Sequence, residues 1–195
     1  MSLDVAFGAA IGGAARRWGL DPRLLAAVAA QETGGPGSNS GRNVVGDGGH
    51  GHGLFQIDDR YHAFARTPAA MDPARNADYA AHLLHDLLER NGGDLRAALS
   101  AYNAGDPAAT GTLTTWADGK TLGYADSVER HYAALGGSNP PAAPTESPGT
   151  AVLQAPAPAP ATTYAPVAAS MSGSLQAMQH TDEDGAHLID AVFDT

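Results

Sequence analysis

The chain has no cysteine. No disulfide or thiolate metal site is available to it, and the fold is compatible with a reducing compartment. No run of 18 apolar residues occurs, which excludes a helix long and apolar enough to span a bilayer. The start, Met1-Ser2-Leu3-Asp4, has neither a basic segment nor an apolar one, so no signal peptide is expected. Positive charge is also scarce. The formal net charge is −10, and all 11 Lys and Arg fall within the first 136 residues, against 15 acids there. Residues 137–195 hold six acids and no Lys or Arg. Nucleic-acid binding needs clustered Lys and Arg and is a poor fit. Cationic steering toward an anionic cell surface is missing as well.

What is present divides the 195 residues in three. Residues 1–136 form the expected folded domain. Residues 137–171 are rich in Pro and Ala and read as an extended linker that buries no core. Residues 172–195 are acidic, with Leu188, Ile189, Val192 and Phe193 as short apolar clusters. They are expected to be disordered, or to act as a docking segment that orders on a protein partner. No internal repeat is found.

The first 136 residues read as helices separated by Gly-rich loops. Phe7, Ile11, Ala14 and Trp18 recur at helical spacing before Gly19. Asp21-Pro22 supplies an N-cap and a proline for a second helix, Leu24 through Glu32, which stops at Gly34-Gly35. Asp72-Pro73 repeats that start for a third helix with Ala77, Ala80, Leu84 and Leu87 on one face. Asp94 caps a fourth carrying Leu95, Ala98, Leu99 and Tyr102, and a fifth begins near Tyr124. Between Gly34 and Asp59 glycine is dense, and Asn43–Val45 and Leu54–Ile57 look like short strands. The fold class is therefore mainly α, an α+β helical domain with a hairpin or small three-stranded sheet set among the helices.

One carboxylate is out of place. Leu25, Val28 and Glu32 lie at i, i+3 and i+7, so Glu32 shares the apolar stripe of the second helix. Burial and the negative end of the helix dipole both raise its pKa. A carboxylic acid neutral at working pH is what protonates a leaving glycosidic oxygen. On helix pattern alone, a terminal Glu turned to solvent is the commoner arrangement. An inverting glycosidase also needs a carboxylate system on the far side of the sugar to activate water. Asp47, in a glycine loop, and Asp58, at the end of the second strand-like run, supply one. Alternation would place Gln56 and Asp58 on one strand face, the floor of a cleft.

These residues resemble the signature of goose-type lysozymes. Glu32 ends a helix, a Gly/Asp-rich loop follows, and Gly53-Leu54-Phe55-Gln56-Ile57-Asp58 is similar to that family's Gly-Leu-Met-Gln-Val-Asp. Arg60-Tyr61-His62 resembles its Arg-x-His continuation. Ser100-Ala101-Tyr102-Asn103-Ala104-Gly105 is similar to a motif shared with soluble lytic transglycosylases. Thr33 stands where the family often has Ser, and the loop from Glu32 to Asp47 is slightly longer than usual. The resemblance covers about residues 3–135.

It implies a peptidoglycan hydrolase cleaving between N-acetylmuramic acid and N-acetylglucosamine. Glu32 would be the acid, Asp47 and Asp58 would set the water, and Gln56, His62, Tyr102, Asn103 and Tyr124 would line the cleft. The alternatives are a lytic transglycosylase giving 1,6-anhydro products, and a glycan-binding module without chemistry. No cofactor or metal is implied. His50, His52 and His62 with Asp47 and Asp58 make only a weak zinc pattern. His82, His85 and Asp86 read as a solvated helix face, and Trp116 either stacks on sugar or covers the core. The partner is a peptidoglycan strand, met in the wall after export, lysis or delivery by a particle such as a phage virion or secretion apparatus.

Overall fold

A computed structural model describes residues 3–137. Beyond Gly137, the expected linker and acidic segment lie outside the described residues. Among the described residues there are five α-helices: α1 (Gly8–Arg17), α2 (Pro22–Ala29), α3 (Pro73–Arg90), α4 (Leu95–Ala104) and α5 (Tyr124–Ala134). β1 (Val44–Gly46), β2 (Gly51–Gly53) and β3 (Ile57–Asp58) form an antiparallel sheet in the order β1-β2-β3. Val44 pairs with Gly53, and Gly51 pairs with Asp58. β4 (Thr114–Thr115) and β5 (Thr121–Leu122) make a separate hairpin. The mainly helical domain with a small three-stranded sheet is thus the observed fold.

The helix starts follow from local chemistry. The Asp21 carboxylate accepts from Arg23 N–H, Asp72 from Arg75 N–H and Asp94 from Ala97 N–H. Each satisfies an amide that the first helical turn leaves unpaired. α2 is the central element and packs on both α1 and α5. It is not the one-sided stripe that its spacing suggests: Leu24 through Ala30 are all fully buried. Alanines at 26, 27, 29 and 30 allow neighbours close on every side. α1 differs at its start. Phe7 is the N-cap, has positive φ and is 39% exposed, so it is not a core residue of that helix.

Two further features depart from the sequence reading. The second helix passes at Ala30–Gly34 into a π-helical turn, closed by Gly35 N–H on the Ala30 carbonyl at 2.9 Å. Glu32 sits inside that wider turn. Leu54–Gln56 is a turn between β2 and β3 rather than a strand, with Gln56 at φ +47°. The shared strand face proposed for Gln56 and Asp58 therefore does not exist, because the turn breaks the alternation.

Asn76 on α3 holds this turn in place. It is fully buried, accepts from Phe55 N–H at 2.9 Å, and donates to the carbonyls of His52 and Ala70 at 3.0 and 2.9 Å. Gly53, at φ +78°, lies so close to Asn76 and the Ala70 carbonyl that a Cβ would collide with both.

Candidate active site

Glu32 is 1% exposed. Its Oε1 accepts a 2.6 Å hydrogen bond from the Tyr124 hydroxyl, 92 residues on at the first turn of α5. Its Oε2 is buried without a hydrogen-bond partner among the described residues. Burial pushes the Glu32 carboxyl up to about 8, and the Tyr124 bond offsets only part of that rise. The acid is therefore neutral at pH 7. With Oε1 accepting from Tyr124, Oε2 is the oxygen left to carry the carboxyl proton. Tyr102 is fully buried, and its ring stacks on Tyr124 with centroids 6.4 Å apart. Its hydroxyl is also unpartnered among the described residues. Both phenols are raised well above their ordinary range, first by burial and then by the Glu32 charge. The three groups share one low-dielectric locus.

The neighbours of Glu32 tie it to the rest of the domain. Thr33 Oγ1 donates to the Leu54 carbonyl at 3.0 Å and accepts from Arg42 N–H at 2.7 Å. Arg42 Nε in turn donates to the Thr33 carbonyl at 2.9 Å. The hydroxyl at position 33 thus links the acid's turn to the β2–β3 turn. Gln31 Nε2 donates to Thr114 Oγ1 at 2.8 Å, joining the same turn to the β4–β5 hairpin.

Asp47 and Asp58 meet at a single guanidinium. Both Asp58 oxygens are taken by Arg60: Oδ1 accepts from its backbone N–H and from Nε, and Oδ2 from Nε and Nη2. The same Nη2 donates to Asp47 Oδ2. Asp58 is 1% exposed, whereas the Asp47 side chain is 16% exposed. The two carboxylates hold the Arg60 cation and raise its pKa further. Asp47 has φ +47°, a left-handed setting that Asp tolerates better than bulkier residues.

Three other candidates bond within the protein. The Gln56 amide donates to the carbonyls of Val44 and Gly53 at 3.0 and 2.8 Å, across the sheet. Asn103 accepts from Thr112 N–H at 2.8 Å and donates to Thr112 Oγ1 at 3.3 Å. That loop carries the Thr110 carbonyl, which accepts from Tyr124 N–H at 3.0 Å, so Asn103 positions Tyr124 indirectly. Gly111 must be glycine there: it has φ +68°, and a Cβ would strike Asn103 Oδ1. His62 is buried, with Nδ1 3.0 Å from the Tyr79 hydroxyl.

The five residues of the weak zinc pattern go separate ways. His50 and His52 both contact Asp59, at 2.8 and 3.1 Å, Asp47 and Asp58 contact Arg60, and His62 contacts Tyr79. Trp116 is 7% exposed, lying between the His131 ring, at 4.7 Å, and the Arg130 guanidinium, at 4.1 Å. It covers the core.

Sequence reasoning missed the clamping role of Arg60. The signal was available in part: an Arg two residues after Asp58 is placed to chelate it. The Asp47 contact spans 13 residues and had no local signal.

The arrangement supplies a buried neutral acid with one free oxygen beside two tyrosines, and a charged Asp–Arg–Asp group carried by the sheet. Residues 9–117 match the family described as the Transglycosylase SLT domain. The matched span includes Glu32, Asp47, Asp58, Arg60 and the Tyr102-Asn103 pair at the end of α4. The chain belongs to the Transglycosylase SLT domain family, whose peptidoglycan-cleaving, lysozyme-like activity suits an acid held in this way.

Proposed function

We propose that this chain is a lysozyme of goose type, hydrolysing the β-1,4 bond between N-acetylmuramic acid and N-acetylglucosamine with inversion. The observation that carries the reading is Glu32: buried, neutral to about pH 8, held at Oε1 by Tyr124 and free at Oε2. Oε2–H protonates the glycosidic oxygen as the bond to the anomeric carbon breaks. Water attacks from the opposite face and gives its proton to a carboxylate. The two aspartates divide that work. Both oxygens of Asp58 are occupied by Arg60, so Asp58 sets the guanidinium. Asp47 is bonded there through Oδ2, is more exposed, and is the carboxylate that takes the water. Tyr102 and Tyr124 wall the acid, and Gln56, Asn103 and His62 shape the cleft by holding its backbone and rings.

A second reading has one observation in its favour. A guanidinium shared by both aspartates weakens them as bases, which suits attack by the substrate's own hydroxyl and a 1,6-anhydro product. Mass spectrometry of muropeptides released from purified sacculi separates the two. Reducing ends are expected, and mainly anhydro-muropeptides would replace the hydrolase reading with the transglycosylase one. Binding without release would leave a glycan-binding module. The site of action is the cell wall, reached by export, lysis or delivery on a particle. Residues 172–195 are the candidate docking segment, and their deletion is expected to abolish localisation but not lytic activity.

A further inference from the structure

The Glu32 site uses nothing from the outer face of α3, yet that face gathers four metal-ligating side chains over two turns. His85, Asp86 and Glu89 each offer a ligand atom, and these atoms lie within 4.8 Å of one another. His82 Nε2 is 3.5 Å from Asp86 Oδ1, and His85 Nε2 is 3.4 Å from Glu89 Oε1. These separations are informative. Where imidazoles bond a carboxylate directly in this protein, as His50 and His52 bond Asp59, the distances are 2.8 and 3.1 Å. A tetrahedral ion with bonds of about 2.1 Å spaces its ligands about 3.4 Å apart. The α3 pairs stand at that spacing, not at the closest hydrogen-bond contact.

The imidazoles are also held. The His82 ring stacks on Trp18 of α1, with centroids 4.1 Å apart and planes 14° from parallel. The His85 ring leans on the same indole at 5.8 Å. Trp18 is itself fixed, donating from Nε1 to Asp78 Oδ1 at 3.1 Å, and Asp78 pairs with Arg17 at 2.7 Å. His85 Nδ1 is buried without a hydrogen-bond partner among the described residues, and Nε2 is the nitrogen that faces the carboxylates. Ordered imidazoles and flanking carboxylates suit borderline divalent ions rather than calcium or magnesium, which prefer oxygen alone.

We propose that His85, Asp86 and Glu89, joined by His82 through its place beside Asp86, form a surface site on α3 for a divalent ion of the zinc class. The ion bridges two turns of α3, the helix whose Asn76 holds the β2–β3 turn. Its role is to stiffen that helix, and it does not depend on which product the enzyme makes.

The test is calorimetric titration of ZnCl2 into the full chain without a histidine tag. One equivalent is expected to bind, with a rise in Tm at saturating zinc. The double variant His82→Ala/His85→Ala is expected to lose at least tenfold in affinity and the Tm response. Glu89→Gln, on a side chain 61% exposed, does not threaten folding and is expected to weaken binding severalfold. The control His50→Ala/His52→Ala is expected to bind as the parent does. In a Trp116→Phe background, zinc is expected to change Trp18 emission, and the His82/His85 double variant is expected to abolish that response. No zinc binding by the parent, or undiminished affinity in the double variant and in Glu89→Gln, overturns the proposal. Loss of binding in the His50/His52 control alone overturns it as well.

Discussion

Replacing Glu32 with Gln tests the acid through stability as well as activity. The carboxyl is 1% exposed and titrates near 8 in the folded chain, against an ordinary value of 4.5. Between those values the folded state holds a proton that the unfolded state has released. Stability therefore falls as pH rises through this window, and the penalty is complete above about pH 8. At about 1.4 kcal/mol per unit, Glu32 costs about 3 kcal/mol at pH 7, about 4 kcal/mol at pH 8, and about 5 kcal/mol well above it. Below pH 4.5 it costs nothing. Gln does not titrate, keeps an oxygen to accept from Tyr124, and has nearly the same shape. The variant is thus expected to be more stable than the parent, with a gain that grows by about 4 kcal/mol from pH 5 to pH 8.

Urea denaturation of both proteins at the two pH values measures this directly. His131 is buried and its pKa is lowered by that burial, but it is present in both chains and cancels in the difference. Muropeptide release by the variant is expected to fall by about 10²-fold or more. A stability gain that does not change with pH would refute the buried-acid reasoning. So would a gain larger at pH 5 than at pH 8.

Tyr124→Phe removes the one hydrogen bond that lowers the Glu32 pKa. The alkaline limb of the kcat/KM profile is expected to move to higher pH while the rate falls. Asp47→Asn is expected to cut turnover about tenfold or more with little loss of stability, measured by muropeptide release and thermal melting. Asp58→Asn is expected to lower both, with a stability loss on the order of 1–2 kcal/mol. Asp58 is buried, but Arg60 is 37% exposed and can rehydrate. Asn76→Leu leaves Phe55 N–H and the carbonyls of His52 and Ala70 without their bonds, at a cost of about 3 kcal/mol in urea unfolding.

Much of this domain was legible because it is local. The caps at Asp21, Asp72 and Asp94 act within two or three residues of themselves, so their spacing to the next amide predicts the helix starts. Glu32 stood out because a carboxylate among Leu25 and Val28 has few ways to be satisfied. The sheet was legible as a glycine-rich interruption, but its register was not. Leu54–Ile57 alternates like a strand, yet Asn76, more than 20 residues later, captures Phe55 N–H and the His52 carbonyl and imposes a turn. A side chain that replaces ladder hydrogen bonds from another element leaves no periodic trace. Trp116 was ambiguous for a similar reason, since its ring is covered by His131 and Arg130 of α5.

By itself, then, the sequence determined a cysteine-free, mainly helical domain, the starts of its central helices, and a carboxylate placed where water is scarce. Those properties follow from composition and from spacings within a few turns of helix. Tertiary structure decided what that carboxylate can do. Only the folded chain brings the Tyr124 hydroxyl to Oε1 across 92 residues, leaves Oε2 free, and draws Asp47 and Asp58 onto Arg60. Protonation and basicity depend on local dielectric and on charges a few ångströms away. Those are set by packing between α2, α5 and the sheet, which residue spacing along the chain does not encode.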